Sequence, residues 1–115
     1  MKLAVVGSRG FNDYDLCKSK LDAIHLRKPI TCIVSGGAKG ADSFGEKWAK
    51  ENNIETLIFI PDWNKFGKRA GYLRNEDIIK NCDSVIAFWD QISKGTAHSI
   101  SLAKKYEKSC LIVKY

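Results

Sequence analysis

Glycine turns that lead from a strand into a helix are the residues of this sequence with the clearest chemical potential. Gly36, Gly37 and Gly40 follow the short apolar run Thr31–Val34, and an amphipathic helix begins directly after them. Such a turn leaves backbone N–H groups unpaired at the positive end of the helix dipole, where phosphate or carboxylate binds. The same glycines can also serve only as a tight connection, and this stretch alone does not separate the two interpretations. Its polar side chains that can contact a ligand are Ser35, Lys39 and Asp42. Asp42 can bind a ligand hydroxyl, but it can equally favour the helix dipole or hold the turn.

Two further turns of the same kind occur in the sequence. Gly7, Ser8 and Arg9 follow the first apolar run. Glycine permits close backbone approach there, and an arginine can bind a phosphate through two parallel hydrogen bonds. Gly95 and Thr96 stand at the start of the last helix and offer free N–H groups and a hydroxyl. Glycine turns that open onto one edge of a sheet in this way predict a nucleotide site.

A polar, basic loop after the third strand contains Trp63. An indole ring at this place can stack on a nucleobase, and it can equally cover the edge of the core. In the helix that follows, Asn75 lies at the top of an apolar stripe, where an amide needs a hydrogen-bond partner from a neighbouring loop or from a ligand. Arg74 is adjacent and can pair with a phosphate.

Signals for other chemistries are absent. No Gly-x-Gly-x-x-Gly is present and no acidic residue ends the second strand, so a nicotinamide-dependent oxidoreductase is not expected. The four cysteines form no Cys-x-x-Cys pair and there are only two histidines. We therefore expect free thiols in a reducing compartment, no metal site and no cofactor. The first apolar run is too short for a signal peptide and nothing approaches a membrane span, which predicts a cytoplasmic protein with no membrane contact.

The length of 115 residues predicts one domain over residues 1–115. A net charge of +6 fits an anionic ligand such as a nucleotide or a nucleic acid, although part of this charge lies on one solvated helix face. Apolar and amphipathic segments alternate along the chain. The expected strands are Leu3–Val6, Thr31–Val34, Ile54–Ile60, Ser84–Trp89 and Cys110–Val113, with a polar loop over Asp62–Lys68.

Short apolar strands separated by helices predict an α/β fold, a Rossmann-like three-layer sandwich with a five-stranded parallel sheet. Right-handed crossovers favour the strand order 3-2-1-4-5. Ligands of such sheets bind beyond the carboxyl ends of the strands, where the strand order reverses. We therefore expect the site between the first and the fourth strand.

With these motifs in view, the chain resembles the SLOG superfamily, specifically its small YspA/YpsA-related branch. The superfamily also contains the LOG phosphoribohydrolases and DNA-processing protein A (Smf). The resemblance covers almost the whole chain and rests on these residues: Gly7-Ser8-Arg9 with Phe11 and Asp13, Ser35-Gly36-Gly37-Ala38-x-Gly40-Ala41-Asp42, Pro61-x-Trp63 with Gly67-Lys68, Ala70-Gly71-x-x-Arg74-Asn75, Asp83, and Ser93-x-Gly95-Thr96.

The resemblance implies a nucleotide or nucleotide-derived ligand at the glycine turns. LOG enzymes cleave the base from a nucleoside monophosphate, and they are similar in placing an arginine nine residues before an aspartate, as Arg74 stands before Asp83 here (83 − 74 = 9). They also use a glutamate just after a Pro-Gly-Gly-x-Gly-Thr turn. In this chain the Pro-Gly-Gly is missing, and Ala97, His98 and Ser99 follow Thr96 with no carboxylate among them. The oxocarbenium-like chemistry of these enzymes needs a negative charge near the ribose, so this departure argues against hydrolysis.

The sequence thus predicts a protein that senses, carries or sequesters a nucleotide-derived ligand. Phosphates are expected on the Gly7–Arg9, Gly36–Gly40 and Gly95–Thr96 turns, with Arg74 on a phosphate and Trp63 on the base. LOG-type hydrolysis that uses Arg74 is one alternative, and single-stranded DNA binding is another. Relatives pair through helices, so a homodimer is also expected.

Overall fold

Strands and helices alternate along the chain, and the computed structural model describes residues 1–115. The elements are, in order, β1 (Lys2–Gly7), α1 (Tyr14–Arg27), β2 (Cys32–Ser35), α2 (Ala41–Glu51), β3 (Glu55–Ile58), α3 (Trp63–Phe66), a 3-10 turn (Gly67–Arg69), α4 (Ala70–Lys80), β4 (Ser84–Trp89), α5 (Lys94–Lys105) and β5 (Ser109–Lys114). All neighbouring strands are parallel and their order is β3-β2-β1-β4-β5. The predicted fold class and strand order are both confirmed.

The three layers follow from the alternation of side chains along the central strands. In β1, Leu3 and Val5 face one side of the sheet and pack with α1 and α2, whereas Ala4 and Val6 face α4 and α5 on the other side. Both sets are buried because β1 lies in the middle of the sheet. The outer strands have one neighbour each, so residues such as Leu111 on β5 are exposed.

The segment expected as a polar loop over 62–68 is partly helical. The carboxylate of Asp62 accepts a hydrogen bond from the backbone N–H of Lys65 at 3.0 Å and thereby caps α3. The 3-10 turn then leads directly into α4. The expectation of a loop was wrong here because a local cap supports one helical turn that has no apolar periodicity. None of the helices combines the length and the apolar character needed to cross a bilayer.

Close packing of α2 against the sheet depends on a residue without a side chain. A Cβ atom placed on Gly45 would lie 2.8 Å from the Cβ of Val5 on β1. Both residues are buried, so neither the helix nor the strand can move aside without disturbing the core.

We predict that Gly45→Ala lowers the free energy of unfolding by about 1–3 kcal/mol, because it overpacks the contact between α2 and β1. Urea denaturation monitored by circular dichroism measures this change. Gly10→Ala is the matched control, since a Cβ at Gly10 meets no atom within 4 Å. Equal stability of the two variants would show that α2 does not approach the sheet this closely.

Candidate functional site

The carboxyl ends of β1 and β4 border a cavity of about 410 Å³, which we call the edge cavity. It lies where the strand order reverses, which is the position predicted for a ligand. Parts of the turns after β1, β2 and β4 meet there, together with Arg74, Asn75 and Ile78 of α4. The residues that line it are Val6, Gly7, Ser8, Arg9, Gly10, Ala38, Asp42, Arg74, Asn75, Ile78, Ser93, Lys94, Gly95, Thr96 and Ser99.

Helix α5 points its amino-terminal end at the edge cavity. The first backbone hydrogen bond of this helix runs from the N–H of Ala97 to the carbonyl of Ser93 at 3.2 Å. The N–H groups of Lys94, Gly95 and Thr96 have no partner in the protein. No acidic side chain stands in the first turn to neutralise the helix dipole. This end of α5 can therefore bind an anion through backbone donors.

Asp90 shapes the turn that presents α5. Its carboxylate accepts hydrogen bonds from the backbone N–H groups of Ser93 and Ile92 at 2.7 and 2.9 Å, and from the Ser93 hydroxyl at 2.7 Å. These bonds, led by that from the Ser93 N–H, lower the pKa of Asp90 to about 2. Asp90 is thus engaged in the turn, and it does not line the edge cavity.

The turn after β1 contributes an unpaired arginine. Ser8 is buried and fixed to β4, because its N–H donates to the carbonyl of Phe88 at 3.0 Å and its Oγ accepts from the N–H of Asp90 at 3.4 Å. Arg9 is exposed, lines the edge cavity and makes no hydrogen bond within the protein through its side chain or its N–H group. The guanidinium of Arg9 is therefore available to an anion in the cavity.

The turn after β2 requires a correction. The N–H groups of Gly36 and Ala38 donate to Oδ2 of Asp42 at 3.1 and 3.3 Å, and that of Gly37 donates to Oγ of Ser35 at 3.3 Å. The expectation that this turn binds phosphate through these amides is wrong, because side chains of the protein already occupy them. Six predicted ligand residues do not line the edge cavity: Ser35, Gly36, Gly37, Lys39, Gly40 and Trp63.

Ser35 and Gly40 have structural roles beside this turn. The hydroxyl of Ser35 is buried and donates to Oε2 of Glu46 on α2 at 2.7 Å. Gly40 has a φ of +78°, and a Cβ on it would lie 2.4 Å from the carbonyl oxygen of Ser8. Only glycine allows the turn after β2 to lie this close to the backbone of the turn after β1.

Asp42 is the only carboxylate that lines the edge cavity, and it is 6% exposed. Burial raises the pKa of Asp42 to about 6, although hydrogen bonds from Ala38 and Gly36 and the charge of Arg74 oppose the shift. No ion pair within 4.0 Å neutralises this carboxylate. Its negative charge at neutral pH is consequently supported by backbone donors and not by a contacting cation.

Arg74 and Asn75 are held by a chain of side-chain contacts between α4 and α5. Nη1 of Arg74 donates to the carbonyl of Gly36 at 2.8 Å, and its Nε donates to Oδ1 of Asn75 at 3.1 Å. Nδ2 of Asn75 lies 3.2 Å from Nδ1 of His98. Burial lowers the pKa of His98, which favours the neutral ring that can accept this bond. The partner that Asn75 required is thus found within the protein.

A second hollow of about 260 Å³ adjoins the edge cavity, and we call it the aromatic hollow. Trp63 and Tyr72 line it and are 53% and 56% exposed, so Trp63 does not serve as a core residue. The ring of Tyr72 stands edge-on to that of His98, with centroids 4.8 Å apart. Tyr72 and His98 were missed in the sequence, because only the packing of α4 on α5 brings them to the site. The two depressions share Arg9, Arg74, Asn75 and Gly95.

The chain is similar in sequence to a described protein family and to a phage protein. Residues 1–66 match the family described as YAcAr: YspA, cpYpsA-related SLOG family. The chain is 32% identical over 111 residues to the Gene 61 protein of Mycobacterium phage D29, a match that covers 90% of this chain and 89% of that protein.

Solved structures with the same fold include two DNA processing proteins. DNA processing protein A (DprA) from Streptococcus pneumoniae is 22% identical with a TM-score of 0.80, over 96% of this chain and 49% of that one. DNA processing protein A from Helicobacter pylori, described with its single-stranded DNA binding mode, is 24% identical with a TM-score of 0.75, over 97% of this chain and 64% of that one. At these identities the likeness establishes a common fold. The chain spans about half of the first and less than two thirds of the second.

The raised pKa of Asp42 gives a pH dependence whose sign can be tested. Because the folded protein holds a proton on Asp42 more tightly than the unfolded chain does, this group stabilises the fold most below about pH 4. That contribution is lost as the pH rises through the folded pKa of about 6. We therefore compare the free energy of unfolding of the wild type with that of Asp42→Asn. The wild-type value minus the variant value should fall by up to about 3 kcal/mol between pH 4 and 7. Urea titrations of both proteins across this range measure the difference, and a difference that rises with pH would contradict the burial of this carboxylate.

Proposed function

The chain belongs to the YspA, cpYpsA-related SLOG family, and from this premise we propose that it binds a nucleotide or nucleotide-derived ligand in the edge cavity. In this proposal the protein senses, carries or sequesters the ligand. The main support for this proposal is the amino-terminal end of α5, where the N–H groups of residues 94–96 have no partner in the protein.

The charges around the cavity favour an anion. Arg9, Arg74 and Lys94 line it, and Asp42 is the single opposing carboxylate. The free N–H groups of α5 add the positive end of the helix dipole. In the proposed complex, phosphate oxygens accept hydrogen bonds from the α5 amides and from Arg9, while Arg74 contributes its charge from the wall of the cavity. The turns at Gly7–Arg9 and Gly95–Thr96 keep the roles proposed from the sequence, and the turn at Gly36–Gly40 does not.

The aromatic hollow supports a ligand that carries a flat ring. Trp63 and Tyr72 are exposed beside the positive cavity, and Lys68 lies at the same hollow. A nucleobase that leaves the edge cavity past Arg9 would reach these rings, and stacking on one of them contributes about 1–3 kcal/mol. A phosphate anchor next to an aromatic surface is the pattern expected for a nucleotide and not for a bare inorganic anion.

Hydrolysis of an N-glycosidic bond is the second candidate, because one carboxylate does line the cavity. Asp42 could supply the negative charge that LOG enzymes take from a glutamate, since no carboxylate follows Thr96 over residues 97–99 here. Asp83 is not available for this role, since its carboxylate accepts from the N–H of Lys2 at 2.7 Å, at the amino end of β1. Release of free adenine from AMP, abolished by Arg74→Ala, would move the proposal from binding to catalysis.

We predict that AMP, ADP or ADP-ribose raises the melting temperature of the protein by mass action on the native state. Arg9→Ala should weaken the binding of the stabilising nucleotide by about tenfold or more, because it removes a charged hydrogen-bond donor. Isothermal titration calorimetry measures both affinities.

The control is Arg27→Ala, an exposed arginine at the end of α1 that does not line the edge cavity and should bind as the wild type does. Absence of any nucleotide-induced shift would overturn the proposal. Steeply salt-dependent binding of an oligonucleotide in preference to all mononucleotides would replace it with single-stranded DNA binding, the remaining alternative.

A further inference from the structure

The two carboxylate oxygens of Asp42 have different surroundings. Oδ2 accepts the N–H groups of Gly36 and Ala38, whereas Oδ1 has no hydrogen-bond partner in the protein. No fully buried side-chain oxygen or nitrogen of this protein lacks a partner, so Oδ1 is not fully enclosed, and the edge cavity is the open space that Asp42 lines. The residue as a whole is nevertheless 6% exposed. One oxygen thus holds the turn, and the other is presented to whatever fills the cavity.

A buried carboxylate normally has a cation or a full set of donors around it. Arg74 is close enough to influence Asp42, yet its Nη1 donates to the carbonyl of Gly36 and forms no ion pair with the carboxylate. A Cβ on Gly36 would lie 2.6 Å from this Nη1 and 2.8 Å from Oδ2 of Asp42, so both groups approach the space that a side chain at this position would occupy. Oδ1 therefore keeps an unmet capacity to accept a hydrogen bond.

An ionised oxygen in this position repels phosphate and attracts a hydroxyl donor. The edge cavity thus offers two opposite kinds of contact: backbone N–H donors and Arg9 for an anion, and one acceptor for a hydroxyl. A nucleoside phosphate carries both partners, because its ribose hydroxyls lie a few bonds from its phosphate. A bare phosphate or pyrophosphate would leave the acceptor unsatisfied.

Resting on the proposed nucleotide site, we propose that Oδ1 of Asp42 accepts a hydrogen bond from a ribose hydroxyl and makes the protein select ribonucleotides. Nucleotides without these hydroxyls leave a buried acceptor without a donor, which is the situation that polar sites reject most strongly. Internal residues of a DNA strand have neither the 2′ nor the 3′ hydroxyl free, so the same carboxylate also disfavours DNA in the cavity.

The test compares the affinities of AMP and 2′,3′-dideoxyadenosine monophosphate by calorimetry. The wild type should bind AMP at least about tenfold more tightly. In Asp42→Asn the amide oxygen can still accept from Gly36 and Ala38, but the group facing the cavity becomes an N–H donor. The preference for AMP should then fall severalfold, because a hydroxyl that accepts from a neutral amide is bound more weakly than one that donates to a carboxylate. Inorganic pyrophosphate should bind as well as before or more tightly, because a repelling charge is gone. The 2′-deoxy and 3′-deoxy monophosphates identify which hydroxyl is contacted.

Asp77→Asn is the matched control, since Asp77 is an exposed carboxylate of α4 that does not line the cavity, and it should keep the wild-type preference. Equal binding of AMP and its dideoxy analogue by the wild type would overturn the role of Asp42 and leave nucleotide binding intact. A preference for AMP as large in Asp42→Asn as in the wild type would assign the hydroxyl contact to another residue. Failure of every nucleotide to bind would overturn the proposed function itself. The wild-type comparison stands on its own if Asp42→Asn does not fold.

Discussion

The carboxyl edge of the sheet is organised by the hydrogen bonds that the N–H groups of Gly36 and Ala38 donate to Oδ2 of Asp42. Asp42 belongs to the first turn of α2, so these bonds fold the end of β2 back onto the start of the helix. The carbonyl of Gly36 in the same turn accepts from Arg74 on α4. One short segment therefore fixes the relative positions of β2, α2 and α4. The shape of the edge cavity depends on this segment even though most of the segment does not line it.

Much of this architecture could be predicted from the sequence, because it depends on local patterns. Apolar runs such as Ser84–Trp89 are strands at the expected positions, and the fixed handedness of crossovers then leaves few possible strand orders. The position of the cavity followed from the strand order. The pairing of amides within the turn after β2 did not follow, because sequence spacing does not reveal that Asp42 turns back toward Gly36. The same limit explains why His98 and Tyr72 were missed: their role arises from the packing of α4 on α5.

The fold of this chain is shared with other proteins, whereas its chemistry depends on the side chains at the carboxyl edge of its sheet. The DprA structures share the fold at 22% and 24% identity, and the sheet with its flanking helices therefore tolerates wide change in sequence. Specific chemistry must then reside in the few side chains around the carboxyl edge. In this chain they include an unpaired arginine, a single carboxylate and two exposed aromatic rings. No carboxylate occurs over residues 97–99, directly after Thr96.

The unpartnered donors of α5 belong to the main chain, which point substitutions leave largely unchanged. In the proposed site, substitution of Asp42, Trp63 or Tyr72 would change which ligand is selected, while the backbone donors for its anionic group stay in place. Proteins that share this proposed site could then change their ligand by single substitutions and still bind its anionic group. Variation among related proteins is therefore expected to gather at these side chains and to spare the geometry of the turn before α5.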